Sequence, residues 1–243
     1  MKRAIIIGAS SGMGLEVARL LLADGWRIGI AARRLDALCK MRDEHPAMVE
    51  VEQIDITLAD APTKLQDLIE RVGGMDLYLH ASGIGKQNEQ LDENVELRTV
   101  DTNAMGFTRM VDAAFRHMAA NGGGHIAVIS SIAGTKGLGP APSYSATKAF
   151  QNTYIEALEQ LAVSRRLNIS FTDIRPGFVD TALLAGTRYP MMMTPEKVAR
   201  SIVKAVYAHR HVKVIDWRYG ILVFFWRLVP RWIWRRLPLT NRT

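Results

Sequence analysis

Ala4-Ile5-Ile6-Ile7-Gly8-Ala9-Ser10-Ser11-Gly12-Met13-Gly14 is the stretch on which the fold turns. An apolar, β-branched run stops at a glycine, and a helical pattern with Leu15, Ala18 and Leu22 apolar follows, ending near Asp24-Gly25. A strand that passes through glycines into a helix leaves its backbone open to close approach. The first turn of the helix adds free N–H groups and a partial positive charge, which together suit a pyrophosphate. The spacing departs from G-x-G-x-x-G, and alone such a turn is a weak signal that a tight βα loop would also give.

The same alternation continues outward. Strands are expected at Trp26–Ala31, Met48–Ile54, Asp76–His80, Gly124–Ser130, Ile169–Ile174 and Val212–Asp216. Helices are expected at Leu35–Glu44, Thr63–Val72, Val95–Ala120 with an interruption near Gly106, and Ser143–Ser164. A last helix runs to about His209 from Thr194-Pro195, where Thr supplies a cap oxygen and Pro tolerates the first turn. Strands alternating with long helices imply βαβ crossovers. The expected fold is α/β: a single Rossmann-type, doubly wound domain over residues 1–216, its seven-stranded parallel sheet covered by helices on both faces. A C-terminal amphipathic, Trp/Arg-rich helical tail follows at 217–243.

The 243 residues suit one such domain. A single cysteine, Cys39, excludes an internal disulfide and a multi-cysteine metal site; it reads as a core or helix-surface residue rather than a nucleophile. Ala4–Ile7 is too short for a signal peptide, and no apolar stretch approaches the roughly 20 residues of a membrane span, so a cytoplasmic protein is expected. The net charge of +7 is uneven: Lys and Arg number 20 against 23 acids through residue 196, and 11 against 1 thereafter.

The second strand ends Ala31-Ala32-Arg33-Arg34 without the carboxylate that would accept a ribose 2′-hydroxyl. Arg33 can fork onto a 2′-phosphate or stack on adenine, and Arg34 is a second candidate, so NADP(H) is expected rather than NAD(H). Tyr144-Ser145-Ala146-Thr147-Lys148 opens a helix and sets phenol and amine on one face. Phenol titrates near 10; a cation about 4 Å away at effective dielectric 20 favours phenolate by roughly 4 kcal/mol, about 3 pKa units. Ser131 lies thirteen residues before Tyr144, just past the fifth strand. Asn103 sits in Asp101-Thr102-Asn103-Ala104-Met105-Gly106, and Pro176-Gly177 with Thr181 follow the sixth strand.

In combination these motifs resemble the short-chain dehydrogenase/reductase family over roughly residues 3–216. Gly8, Ser10, Ser11, Gly12, Met13 and Gly14 match its G-x-x-x-G-x-G turn. Asp55-Ile56 matches its Asp-Val pair, whose carboxylate takes a hydrogen bond from the adenine amino group. His80-Ala81-Ser82-Gly83 stands where the family has Asn-Asn-Ala-Gly; Ala81 and Gly83 still allow close packing, and His80 reads as a braced structural residue.

The resemblance implies a catalytic set of Asn103, Ser131, Tyr144 and Lys148. Tyr144 would be the general acid/base, Ser131 the partner of the carbonyl oxygen, and Lys148 would lower the tyrosine pKa and hold the nicotinamide ribose. Asn103 would hold a water leading from Lys148 to solvent. Pro176, Gly177 and Thr181 would flank the nicotinamide. The implied activity is hydride transfer between NADPH and a carbonyl or secondary alcohol of a small, apolar molecule, by a homo-oligomer (dimer or tetramer). The alternative is a non-catalytic NADP-binding sensor or membrane-associated scaffold.

Residues 181–194 would form a substrate lid, its Met191-Met192-Met193 either an adaptable apolar cover or a core cluster. The tail carries six arginines, no acids and four of the five tryptophans. Arg227, Arg231 and Arg235 make a basic stripe that Pro230 should kink or split. Contact with a membrane surface through 217–237, at the inner face, is preferred; packing on a partner subunit or over the substrate cleft, and nucleic-acid binding, remain open.

Overall fold

The computed structural model describes residues 1–181, 189 and 191–238. Seven strands, β1 (Arg3–Ile7), β2 (Arg27–Ala32), β3 (Val49–Gln53), β4 (Leu77–His80), β5 (Gly124–Ile129), β6 (Ile169–Arg175) and β7 (Val212–Val214), form one sheet in the order β3-β2-β1-β4-β5-β6-β7. Every pairing is parallel. The chain starts in the middle, runs to one edge, returns beside β1 and runs to the other edge. The reversal leaves a crevice between β1 and β4 beyond their carboxyl ends, where ligands of such sheets bind.

Successive side chains of a strand point to opposite faces, so a doubly covered sheet needs continuous apolar runs. In β1, Ala4 and Ile6 join a core with α1 (Gly12–Ala23), α2 (Asp36–Glu44) and α7 (Pro195–Tyr207). Ile5 and Ile7 join the opposite core with α3 (Ala61–Val72), α5 (Phe107–Ala120) and α6 (Pro142–Ser164). Thr194 caps α7 as expected, its Oγ1 accepting from the Lys197 amide.

The expected long helix over 95–120 is interrupted where glycine weakens it. α4 (Glu93–Val100) gives way to a π-helical turn at Asp101–Gly106 before α5 begins. Such turns widen a helix locally and often mark functional positions; Asn103 sits inside this one.

The segment after Asp216 forms α8 (Trp217–Leu228) and, past Pro230, the short α9 (Arg231–Trp234). Pro230 splits the helix, as its missing N–H requires. Tyr219 and Val223 of α8 belong to the core on the α1/α7 side of the sheet. The ring of Tyr219 lies against Gly177, where a Cβ would come within 2.3 Å, and its hydroxyl accepts from the Phe178 amide and donates to the Met191 carbonyl. Lys136 Nζ donates to the Val229 carbonyl at 2.8 Å, and Trp234 Nε1 to the Gly137 carbonyl at 2.7 Å. α8 and α9 are thereby tied to the loop that joins Ser131 to Tyr144. No helix of the described residues is long and apolar enough to cross a membrane.

Candidate active site

The glycine turn leaves β1 and enters α1 at Gly12, and its shape fits a dinucleotide. Gly8 has φ +92°, and a Cβ there would meet the Ser82 amide at 2.6 Å; Gly14 meets the Gly8 carbonyl in the same way. The turn therefore packs directly on Ala81-Ser82 beyond β4, with Ala81 donating its amide to the Ile7 carbonyl. Thr181 stands across the crevice, its Cγ2 3.3 Å from where a Gly12 Cβ would lie. The N-terminus of α1, with Ser10, Ser11 and Met13 around it, carries no acidic residue in its first turn. A phosphate is what such an end favours.

Of the two arginines after β2, Arg34 reaches the turn: its Nη2 lies 3.5 Å from both the Ser10 and Ser11 hydroxyls. Burial pushes the Asp55 carboxyl up, but hydrogen bonds from the Thr57 amide and hydroxyl, with a smaller contribution from the charge of Arg33, leave it lowered. Both guanidinium groups are exposed. The sequence favours Arg33 as the first candidate; the loop geometry turns Arg34 toward Ser10 and Ser11. Ile56 is buried beside the π-helical turn.

His80 closes β4 and is fully buried. Its Nδ1 lies 2.9 Å from the Tyr78 hydroxyl. Burial and the nearby charge of Lys148 hold its pKa down to about 3, against an upward pull from the Ser82 backbone. The imidazole is thus neutral and internal. The asparagine brace that the resemblance would place there is replaced by this Tyr78–His80 pair.

Asn103 has no exposed surface, and its side chain clamps the chain just past Gly83. Oδ1 accepts from the Ile84 amide at 2.9 Å, while Nδ2 donates to the Ile84 carbonyl at 2.6 Å and to Thr147 Oγ1 at 3.3 Å. Its main-chain carbonyl faces α6 and accepts from Gln151 Nε2 at 2.8 Å. Gln151 Oε1 in turn accepts from Lys148 Nζ at 2.9 Å. The Gln151 carboxamide thus joins the Asn103 main chain to the Lys148 ammonium.

Lys148 is 4% exposed and also donates to the Ile129 carbonyl at 3.2 Å. Burial lowers its ammonium to about 8, and the carboxylate of Asp173 resists the shift. Asp173 is itself buried, held by the Arg175 guanidinium at 2.6 Å and by the Ser130 hydroxyl.

Tyr144, half-buried, lies on the same face of α6 one turn before Lys148, whose Nζ is 5.8 Å from its ring centroid. Ser131 ends the strand-to-turn passage after β5; its Oγ caps the 3-10 turn Ile132–Thr135 by accepting from the Ala133 amide at 3.1 Å. Burial pushes the Tyr144 phenol up, and a hydrogen bond with Ser131 pulls it partly back. Burial thus opposes the depression expected from Lys148, whose ammonium donates to Gln151 and Ile129.

Asn103, Ser131, Tyr144 and Lys148 thus meet at the carboxyl ends of the central strands. Gly83 bounds the group: a Cβ there would lie 3.3 Å from Asn103 Oδ1 and 3.6 Å from Lys148 Nζ. The Pro176 carbonyl accepts from the Ile132 amide at 3.1 Å, bringing Pro176-Gly177 alongside. Sequence reasoning missed Gln151, Asp173 and Gly85. Gln151 had one available signal, a polar amide three residues after Lys148 on the helix face that carries it. Of the expected lid, 182–188 and 190 lie outside the described residues, as do 239–243 with Arg242. Met193, one of its three methionines, is buried in the core and pairs with Val179.

The family description "short chain dehydrogenase" matches residues 2–190, and the chain belongs to this family of NAD(P)(H)-binding oxidoreductases. An uncharacterized oxidoreductase of Myxococcus xanthus is 35% identical over 196 residues, covering 78% of this chain and 77% of that one. One from Staphylococcus aureus is 28% identical over 219 residues, 88% and 94% of the two chains. Among solved structures, a short-chain dehydrogenase from Streptomyces avermitilis has TM-score 0.82 at 22% identity, covering 93% and 92%. An actinorhodin polyketide ketoreductase solved with NADPH has TM-score 0.76 at 24% identity, covering 88% and 95%. At those identities the structural likeness speaks for the fold.

Proposed function

We propose that this protein is an NADPH-dependent carbonyl reductase or alcohol dehydrogenase with Tyr144 as its general acid/base. The observation that carries the reading is the meeting of Ser131, Tyr144 and Lys148 beside the glycine turn. When bound, the dinucleotide supplies hydride to a carbonyl carbon, or takes it from a secondary alcohol.

The residues of the chain handle the proton and the charge. Tyr144 donates its phenolic proton to the developing alkoxide, and accepts it in the reverse direction. Ser131 hydrogen-bonds the same oxygen and stabilises the charge that grows there. Burial alone leaves Tyr144 too weak an acid for easy exchange. The ammonium of Lys148 and the Ser131 hydroxyl are the two groups that favour phenolate. Asn103 is a positioning residue: it fixes the turn after β4 and, through Gln151, the ammonium. Lys148 would also hold the nicotinamide ribose.

Gly8, Ser10, Ser11, Gly12, Met13 and Gly14 would receive the pyrophosphate, Asp55 and Ile56 the adenine, and Ala81, Gly83, Pro176, Gly177 and Thr181 the nicotinamide end. Preference for NADP(H) over NAD(H) is supported by Arg34 beside Ser10 and Ser11, with Arg33 next to it and no carboxylate at the end of β2. An apolar carbonyl substrate fits the aromatic and methionine side chains of Phe178, Tyr189 and Met191, the first two stacked with centroids 4.1 Å apart. Exposed Leu97, Val100 and Met105 along α4 and the π-helical turn support assembly into a homo-oligomer.

The reading is tested by following NADPH consumption over a panel of ketones and long-chain oxoacyl compounds. Turnover of at least one apolar ketone, with NADPH used ahead of NADH, is expected. Absence of any NADPH- or NADH-linked turnover across the panel would contradict it.

A further inference from the structure

α8 is apolar on two opposite faces, and only one of them is covered. Tyr219 and Val223 point inward, at 0% and 4% exposure. Trp217, Ile221, Phe224, Phe225 and Leu228 recur at helical spacing on the other side, and all five are exposed, Trp217 at 74% and Leu228 at 62%. Trp232 of α9 extends the stripe at 63%. Six large apolar side chains in one surface strip exceed the scattered exposure ordinary for a surface and mark an interaction site.

The charge of the same strip says what kind of surface it meets. Residues 217–243 contain six arginines and no acid. Among the described residues Arg218 is neutralised by Asp216, while Arg227, Arg231, Arg235 and Arg236 stand exposed beside the stripe. A second copy of this face would bring like charges together around the apolar contact, which opposes self-association. An anionic phospholipid bilayer meets both halves of the pattern. Guanidinium groups fork onto headgroup phosphates, and Trp and Phe rings settle at the level between headgroups and acyl chains. At 12 residues α8 is about 18 Å long, enough to lie in that plane and too short to cross it.

We propose that the outward face of α8 and α9 docks on an anionic phospholipid bilayer. The helix is held flat there by its rooted inner face and by the Lys136–Val229 and Trp234–Gly137 hydrogen bonds. The loop between Ser131 and Tyr144 is thereby brought next to the lipid.

The test reads binding, not turnover, so it stands or falls apart from the proposed reductase activity. Full-length protein is sedimented with vesicles of phosphatidylcholine, with and without phosphatidylglycerol. Truncation at Asp216 is avoided because it would strip Tyr219 and Val223 from the core. Two exposed double substitutions serve instead, Phe224→Ser with Phe225→Ser, and Arg227→Glu with Arg231→Glu, each checked for an unchanged melting temperature. Binding to the anionic vesicles about tenfold or more above the neutral ones is expected, with about tenfold weakening in each double variant. Three results would overturn the proposal: no sedimentation of the parent with anionic vesicles, undiminished binding in both variants, or a dimer lost in the Phe variant while vesicles are ignored. Preferential capture by single-stranded nucleic acid with no vesicle binding would overturn it equally.

Discussion

Gln151 holds Lys148 from one helical turn beyond it: its Oε1 accepts from the lysine Nζ at 2.9 Å inside a site where neither residue has more than 4% of its surface exposed. The carbonyl favours the charged ammonium, whose pKa burial has lowered to about 8. Gln151→Leu is expected to lower that pKa further, moving the corresponding limb of the kcat/KM pH profile about one unit toward acid. Gln151→Glu should move it the opposite way. A uniform loss of rate with no displacement of the limb in either variant would reduce Gln151 to packing.

The cofactor end makes a graded prediction. Arg34→Glu puts a carboxylate beside Ser10 and Ser11 and is expected to raise KM for NADPH about tenfold or more, with KM for NADH little changed. Arg33→Glu should act in the same direction and less strongly. Steady-state kinetics with both cofactors decides it. A parent enzyme that prefers NADH, or two variants with unaltered KM for NADPH, would refute the assignment.

Gly85 gives a steric probe of the phenol. A Cβ at that position would lie 2.5 Å from Tyr144 Cδ2, too close to be accommodated without moving the ring. Gly85→Ala is expected to cut kcat about 10- to 100-fold through misplacement of the phenol, with NADPH affinity retained. Full activity in this variant would separate the ring position from the chemistry.

His80 predicts an acid-sensitive fold. Its folded pKa of about 3 lies below the 6.5 of the free side chain, so between those values the unfolded chain binds a proton that the native state refuses. Stability contributed by the neutral ring is complete above pH 6.5, declines as pH falls, and is spent near pH 3. His80→Asn removes the titration. Urea unfolding at pH 7 and at about pH 4.5 should show the parent losing on the order of 2 kcal/mol more than the variant. Equal losses would mean that the His80 ring is solvated or meets an anionic partner.

Much of this molecule is written locally. The run Ala4–Ile7 ahead of Gly8, the Thr194-Pro195 cap and the weakness around Gly106 each act within a few residues, and all three appear where the sequence puts them. Asn103, Ser131, Tyr144 and Lys148 could be picked out because each lies just past a strand end or on one helix face. What was not legible depends on where side chains finish in space. Residue order does not tell which of Arg33 and Arg34 turns toward the serines. The helix spacing puts the Lys148 charge near Tyr144, but it does not reveal the burial that raises the phenol or the Gln151 acceptor at the ammonium. The nearly unbroken apolar run Tyr219–Trp226, broken only by Gly220, gives no sign that one side of α8 is rooted and the other bare, because that follows from the docking of Tyr219 on Gly177.

The most direct test of the account is the turnover of Tyr144→Phe on a ketone that the parent reduces, measured beside its affinity for NADPH. Removing one hydroxyl should lower kcat about a thousandfold or more while cofactor binding and melting temperature stay unchanged. Turnover at the parental rate would contradict the claim that this phenol moves the proton.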